Sequence, residues 1–398
     1  MTVYHAYLIL FLHIKEFELR CAGLFAGIGG IELGLVRANI EASLFCEVSS
    51  PARSVLGTHF PDVPIENDIR NVKSLPDVEI IAAGFPCQDL SQAGLTNGIT
   101  GENSGLVNEV FRLISAGKRR PTWLLFENVP FMLALQQGRA MHHVLSSIEA
   151  LGYRWAYRVV DARSFGVPQR RRRVIILASR TESPCDVLLA DDEGQPHVAV
   201  NWRTGRGFYW TEGRTGLGWA VGAVPTLKGG SSIGIPSPPA IWFPARRTLE
   251  VPSIRDAERL QGFDADWTEP AETDSRLGRN ARWKLVGNAV CVPMMEWVGS
   301  RLVKPGKYNA HSDPLWDRKG RWPEAAWGGA GRVYVSGASN WPRREAASTL
   351  NAFLRHKTKL LSARATSGFL RRALLSGLAF EEGFLQDVEH HLSMVQLT

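Results

Sequence analysis

Residues 17–38 read FELRCAGLFAGIGGIELGLVRA, and this stretch decides the fold. An apolar run ends at Leu24, and glycines follow at positions 27, 29 and 30. Apolar residues then recur at three- and four-residue intervals, the period of one helix face. Strand, glycine-rich turn and helix in that order let backbone N–H groups approach a ligand as the helix opens. The pattern repeats to about residue 130, where the runs ASLFCEV, the weaker VPIENDI, VEIIAAG and TWLLFENV alternate with helical segments such as LVNEVFRLISA. A helix (MHHVLSSIEALG) and the strands YRWAYRVVDA and RRVIILAS follow. The alternation predicts an α/β fold built on a doubly wound, mostly parallel sheet.

In such a sheet ligands bind beyond the carboxyl ends of the strands. Those positions hold FAGIGG, then Glu47 twenty residues after Gly27, then Asp68, then Cys87 in GFPCQDLS, then Glu127 in ENV. Five strand ends thus direct glycines, two acids, a thiol and a third acid toward one crevice. Each has a plainer alternative. Cys87 can be a buried core thiol, Glu127 a helix cap, the run QRRRR at 169–173 a solvated charge run, and Asn288 in KLVGNAV a turn residue. Those readings do not account for all of them together. A nicotinamide fingerprint is excluded, because G-x-G-x-x-G counted from Gly27 requires glycine where Glu32 stands.

At 398 residues the chain exceeds one average domain, and 44% apolar with 21% charged residues is ordinary globular composition. Disordered, collagen-like and disulfide-dense classes are excluded. No run reaches the ~18–20 apolar residues of a membrane span, so no membrane association is expected. The stretch from Ala6 to Ile14 lacks the flanks of a signal peptide and reads as an N-terminal extension over 1–16. The five cysteines form no CxxC pair, which argues for a reducing compartment and against a zinc site or disulfides. Positive charge concentrates in residues 139–180 (nine basic, two acidic) and 305–398 (thirteen basic, eight acidic), as for surfaces that face a polyanion. Charge alone leaves solvated helices open as the explanation.

The ordered blocks LFAGIGG, Glu47, NDI, GFPCQDLS, ENV, QRRRR, RDAERLQGF and GNAV resemble the bacterial-type cytosine-specific DNA methyltransferases that methylate carbon 5 of the base. The resemblance runs from about Phe17 to Leu302. One departure is Gly23, where many relatives carry Asp. It implies a Rossmann-like fold that binds S-adenosylmethionine and releases S-adenosylhomocysteine, without a metal. Cys87 is then the nucleophile on carbon 6 and Glu127 holds the ring nitrogen and amine. Arg173 contacts the base carbonyl, and Arg171 supports the site or a phosphate. For the cofactor it implies backbone contacts from Phe25, Ala26, Gly27, Ile28, Gly29 and Gly30, ribose contacts by Glu47 with Val48 beside it, and adenine contacts by Asp68 and Ile69. Gly84, Pro86, Asn288 and Ala289 close the methionine end.

The domain reading is a catalytic domain over 17–180 that resumes at 246–304, with an irregular target-recognition subdomain at 181–245. A basic, Trp-containing extension at 305–398 forms a third region. Trp316, Trp322, Trp327 and Trp341 alternate there with Arg318, Lys319, Arg321, Arg332, Arg343 and Arg344, a pattern expected to pack beside the short recognition subdomain and complete the DNA-binding cleft, or else to form a small core with a solvated rim. The loop from Ser91 has the glycines of a lid over a flipped base. The expected partner is double-stranded DNA, with the protein a cytoplasmic, nucleoid-associated monomer serving a restriction or phage-defence system. Two other functions stay open: transfer-RNA methylation on the same fold, whose usual Cys-Phe-Thr is absent, and a catalytically silent DNA-binding regulator.

Overall fold

The computed structural model describes residues 19–86, 105–196, 201–230, 238–273, 281–346 and 348–397. The 1–16 extension lies outside them. Strands β1 (Arg20–Leu24), β2 (Glu41–Cys46), β3 (Ile65–Glu66), β4 (Ile80–Ala83), β5 (Trp123–Asn128), β6 (Arg154–Asp161) and β7 (Arg172–Ser179) form the body of one sheet. Its order is β6-β7-β5-β4-β1-β2-β3. The β5-β4-β1-β2-β3 half is parallel, with the winding reversing between β1 and β4, whereas β7 runs antiparallel to both β5 and β6. The central strands are apolar without alternation because both faces are covered. Helices α1 (Gly30–Arg37), α2 (Ser50–His59), α3 (Gly105–Ala116) and α4 (Arg139–Ala150) supply that cover, with the later helix Val292–Val303. This last helix packs on α1 so closely that a Cβ on Gly34 would stand 2.5 Å from that of Met295. No helix among the described residues is long and apolar enough to cross a membrane.

A second, antiparallel sheet orders Ala220–Val221, Arg206–Phe208, Ala240–Phe243, Thr248–Val251 and Lys359–Leu360. Its boundaries correct the 181–245 reading. Residues Val187–Leu189 are buried in the catalytic core, and Thr248–Val251 pairs with Ala240–Phe243.

The 305–398 segment is not a third region, which is the larger correction. Its hairpin Ala325–Gly329/Arg332–Val335 extends the main sheet beside β6. Its helices Ala363–Leu374 and Phe384–Gln396 bury Phe369, Phe384 and Val388 against Phe208, Trp242 and Leu249 of the second sheet. Asp387 accepts from Trp242 Nε1 at 3.0 Å and from Arg247 Nε at 2.7 Å. The subdomain built on the second sheet, short in sequence, is completed from the far end of the chain.

Of the tryptophans of that segment, Trp322 and Trp341 are buried and Trp316 and Trp327 half-buried. Trp316 lies 4.5 Å from Trp322, and Trp327 stacks on Tyr334 at 4.2 Å.

Candidate active site

Register brings the strand ends level. Leu24 lies opposite both Cys46 and Ala83, and Ala83 opposite Phe126. The next residues along, Phe25, Glu47 and Gly84, therefore leave the sheet level with Glu127, which stays paired with Ile175 of β7, at the β1/β4 switch where an open α/β sheet binds ligands. They border a cavity of about 770 Å³. Of the residues singled out from sequence, Phe25, Gly27, Ile28, Glu47, Val48, Asp68, Ile69, Gly84, Pro86, Glu127, Arg171, Arg173, Asn288 and Ala289 line it. Cys87 and the expected lid after it lie outside the described residues, and Pro86 is the last described residue before them. Ala26, Gly29 and Gly30 are not among the residues that line the cavity. Ala26 packs into the core, Gly29 caps α1 at φ 83°, and Gly30 backs onto the Val290 carbonyl.

The glycine loop is held by its neighbours. Gly27, at φ 58°, donates its N–H to Glu47 Oε2 at 2.8 Å, and Ser49 N–H donates to Glu47 Oε1 at 2.7 Å. Nothing stands within 4 Å of where a Gly27 Cβ would be, which leaves the loop open for a ligand to approach. The Ile28 carbonyl accepts from Trp267 Nε1 at 3.0 Å, and that indole stacks on His59 at 3.6 Å. Asp68 is gripped by Arg70 through Nε and Nη2, which holds its carboxyl below the usual range. A carboxylate has about four acceptor sites, so Glu47 keeps capacity for a hydroxyl pair. Glu47→Ala should weaken S-adenosylmethionine binding by roughly 1–3 kcal/mol through the lost charge-assisted bonds, measured by calorimetry without DNA. An unchanged affinity would remove Glu47 from the cofactor site.

The Gly23 departure has a steric cause. A Cβ there would stand 1.9 Å from Glu32 Oε1, so the Glu32 carboxyl occupies the space that a side chain at 23 would need. Glu32 is 1% exposed and neither oxygen has a hydrogen-bond partner. Burial, with Glu47 nearby, pushes its carboxyl up to about 8. Cys21, raised mainly by burial, faces the same carboxyl. The folded carboxyl thus stays protonated where the unfolded one ionises. Stability should fall by up to about 1.4 kcal/mol per pH unit between the ordinary glutamate range and about 8, then level off. Melting temperature against pH should lose that slope in Glu32→Gln. The same slope in both proteins would contradict it.

At the base-binding end Arg173 Nε lies 2.8 Å from Glu127 Oε1, both side chains being 10% exposed. The N–H is not directed at that oxygen, so buried Oε1 lacks a directed donor. Arg171 is buried beneath. Its guanidinium donates to the carbonyls of Leu227 (3.2 Å), Gly287 (3.4 Å) and Ala289 (2.5 Å), and burial, with Arg173 beside it, holds it down to about 9. These bonds tie Leu227 to the GNAV block.

The far wall, Thr226–Gly229, was not identified from sequence. Gln169 fixes it by accepting from Leu227 N–H at 2.9 Å while donating to the Leu260 carbonyl at 2.8 Å. Gln261 in turn donates to the Val286 carbonyl at 2.8 Å. The QRRRR, RDAERLQGF and GNAV blocks therefore meet through two buried amides. Lys228 projects from this wall over the Tyr209 ring at 3.7 Å, paired with Glu212. The only sequence signal for it was a lysine before paired glycines. Cys46 also borders the cavity, but burial and adjacent acids push its thiol up to about 12. It is not a thiolate at neutral pH.

The family model for C-5 cytosine-specific DNA methylase matches residues 19–201. The chain is 46% identical to the Type II methyltransferase M2.BsuMI of Bacillus subtilis (strain 168), over 93% of this chain and 97% of that protein. It is 29% identical to the Type II methyltransferase M.SsoII of Shigella sonnei, over 71% of this chain and 80% of that one. Among solved structures, the S. pombe Dnmt2 methyltransferase superposes with a TM-score of 0.53 at 18% identity, covering 72% of this chain and 99% of its own. At that identity the likeness is one of fold.

Proposed function

The chain belongs to the C-5 cytosine-specific DNA methylases, and we propose that it performs their reaction through Cys87, Glu127, Arg173 and the bracing Arg171. The protein methylates carbon 5 of cytosine in DNA at a specific sequence, using S-adenosylmethionine. The observation that carries the assignment is the single cavity. It joins the glycine loop, Glu47 and Asp68 at one end to Glu127 and Arg173 at the other, with Thr226–Gly229 of the recognition subdomain as far wall.

Carbon 5 of a pyrimidine is a poor nucleophile until a group adds at carbon 6. Cys87 supplies that group: its thiolate sulfur bonds to carbon 6, and the ring becomes enamine-like. Support for Cys87 is its place in the chain, directly after Pro86 of the cavity wall, and the raised thiol of Cys46. Glu127, whose Oε1 lacks a directed donor, holds the ring nitrogen and exocyclic amine as charge develops, and Arg173 takes the base carbonyl. S-adenosylmethionine supplies an electrophilic methyl on sulfonium. Glu47 would hold its ribose, Asp68 and Ile69 its adenine, and Pro86, Asn288 and Ala289 its methionine end. Loss of the carbon 5 proton to solvent and elimination of Cys87 complete turnover. The target cytosine leaves the stack first, at a cost of a few kcal/mol.

In this reading the substrate is duplex DNA, S-adenosylhomocysteine is released, and no metal takes part. The chain acts as a bacterial cytoplasmic monomer within a restriction or phage-defence system. Incubation with tritiated S-adenosylmethionine and either duplex DNA or transfer RNA tests it. Label should enter DNA as 5-methylcytosine. Label in transfer RNA alone, or none, would overturn it in favour of the RNA or the silent-regulator alternative.

A further inference from the structure

A second cavity, of about 520 Å³, lies between the recognition sheet and the C-terminal segment. Arg203, Arg246, Arg355, His356 and Lys357 line it around the buried Phe243, and no acidic residue is among the described residues lining it. The nearest acids are committed behind the wall. Asp256, fully buried, accepts the backbone N–H groups of Arg355 (3.1 Å) and His356 (3.0 Å) and Arg259 Nη1 (2.7 Å). Glu250 accepts the hydroxyls of Thr248 and Thr358 and lies 3.3 Å from Arg246 Nη2.

The effect is a strap, residues 354–358, whose backbone a buried carboxylate fixes while its cationic side chains point outward. Arg246 lies over the Phe243 ring at 4.0 Å, and Arg203 over the 61% exposed Trp202 at 4.9 Å. A strap cation on a fixed backbone beside two further arginines suits phosphate oxygens better than any neutral ligand. The place is telling. Leu227 of the methyl-transfer cavity and Leu354 of this one belong to a single apolar cluster with Val224 and Val286, so the two cavities are neighbours.

We propose that this cavity is a phosphodiester clamp, in which the C-terminal strap and the Arg203 and Arg246 edges of the recognition subdomain grip the DNA backbone next to the target site. The proposal rests on the reading that duplex DNA is the substrate. The clamp sets affinity and not sequence, since phosphates carry no base identity.

The test uses the full chain with Arg355→Ala/Lys357→Ala, with Arg246→Ala, and with the charge-preserving Arg355→Lys/Lys357→Arg. Duplex binding is followed across a salt series alongside methyl transfer. Each lost phosphate contact should flatten log Kd against log salt by about 0.9. The double alanine variant should bind DNA at least tenfold more weakly at low salt, with the loss carried by KM for DNA, and the charge-preserving variant should restore it. Alanine variants with the wild-type melting temperature, DNA affinity and salt slope would overturn the clamp. So would inorganic tripolyphosphate that binds the wild type and not the variants while the DNA slope stays fixed, which would assign a free-anion site. Wild-type protein that transfers no methyl to DNA defeats the functional reading. Wild type that methylates while the variants bind normally defeats the clamp alone.

Discussion

Cys87→Ser is expected to abolish methyl transfer, with a loss on the order of 10⁴-fold or more in kcat, as for removal of other covalent nucleophiles. A serine hydroxyl is almost wholly protonated at neutral pH and far less nucleophilic than a thiolate, so carbon 6 is not attacked and carbon 5 stays inert. Cofactor binding should be nearly intact, because Phe25, Gly27, Glu47 and Asp68 hold the other end of the cavity. Single-turnover methyl transfer and calorimetry with S-adenosylmethionine, made on the same preparation, check both halves. A variant that keeps turnover would return the role of nucleophile to another group. Cys46, the cysteine that borders the cavity among the described residues, is poorly suited to it with its thiol pushed up to about 12.

Glu127→Gln should lower kcat by ~10²–10³, the usual loss when a group aimed at developing charge is removed from a water-excluded site. Glutamine keeps the shape but not the charge beside Arg173, whose Nε lies 2.8 Å from the carboxylate. It also offers an amide where the cytosine ring nitrogen and amine require an acid and an acceptor. Glu127→Ala is less informative, because removing one partner of a buried pair costs about 3–5 kcal/mol of stability. The glutamine variant should retain S-adenosylmethionine affinity and DNA binding while losing the chemical step. Unchanged single-turnover rates would place Glu127 outside the reaction.

The parallel half of the sheet was legible because each strand end announces itself locally. FAGIGG, Glu47, Gly84 and Glu127 end or follow strands of four to six residues, and register then sets them level without further information, whereas Asp68 follows only the two-residue strand Ile65–Glu66. What was not legible depends on partners distant in sequence. Thr226–Gly229 reaches the cavity because Gln169 and Arg171 bind its backbone across more than fifty positions. The C-terminal segment reads as an extension because its pairing partners lie more than a hundred residues away. Its hairpin adds to β6, burying Trp322 and half-burying Trp327, while its helices pack Phe369 and Phe384 on the second sheet. Gly23 read only as a departure from the family pattern. In space it is the complement of Glu32, nine residues on, whose carboxyl fills the vacated volume.

The central claim is that carbon 5 is activated by a covalent bond from Cys87, and one measurement reaches it directly. The protein is incubated with S-adenosylmethionine and genomic-length duplex DNA carrying 5-fluorocytosine, where the blocked carbon 5 prevents release, and the linked peptide is mapped by mass spectrometry. A DNA adduct on Cys87, absent from Cys87→Ser, is the predicted result. An adduct on Cys46 or any other residue, or none from protein that methylates unmodified DNA, would contradict it.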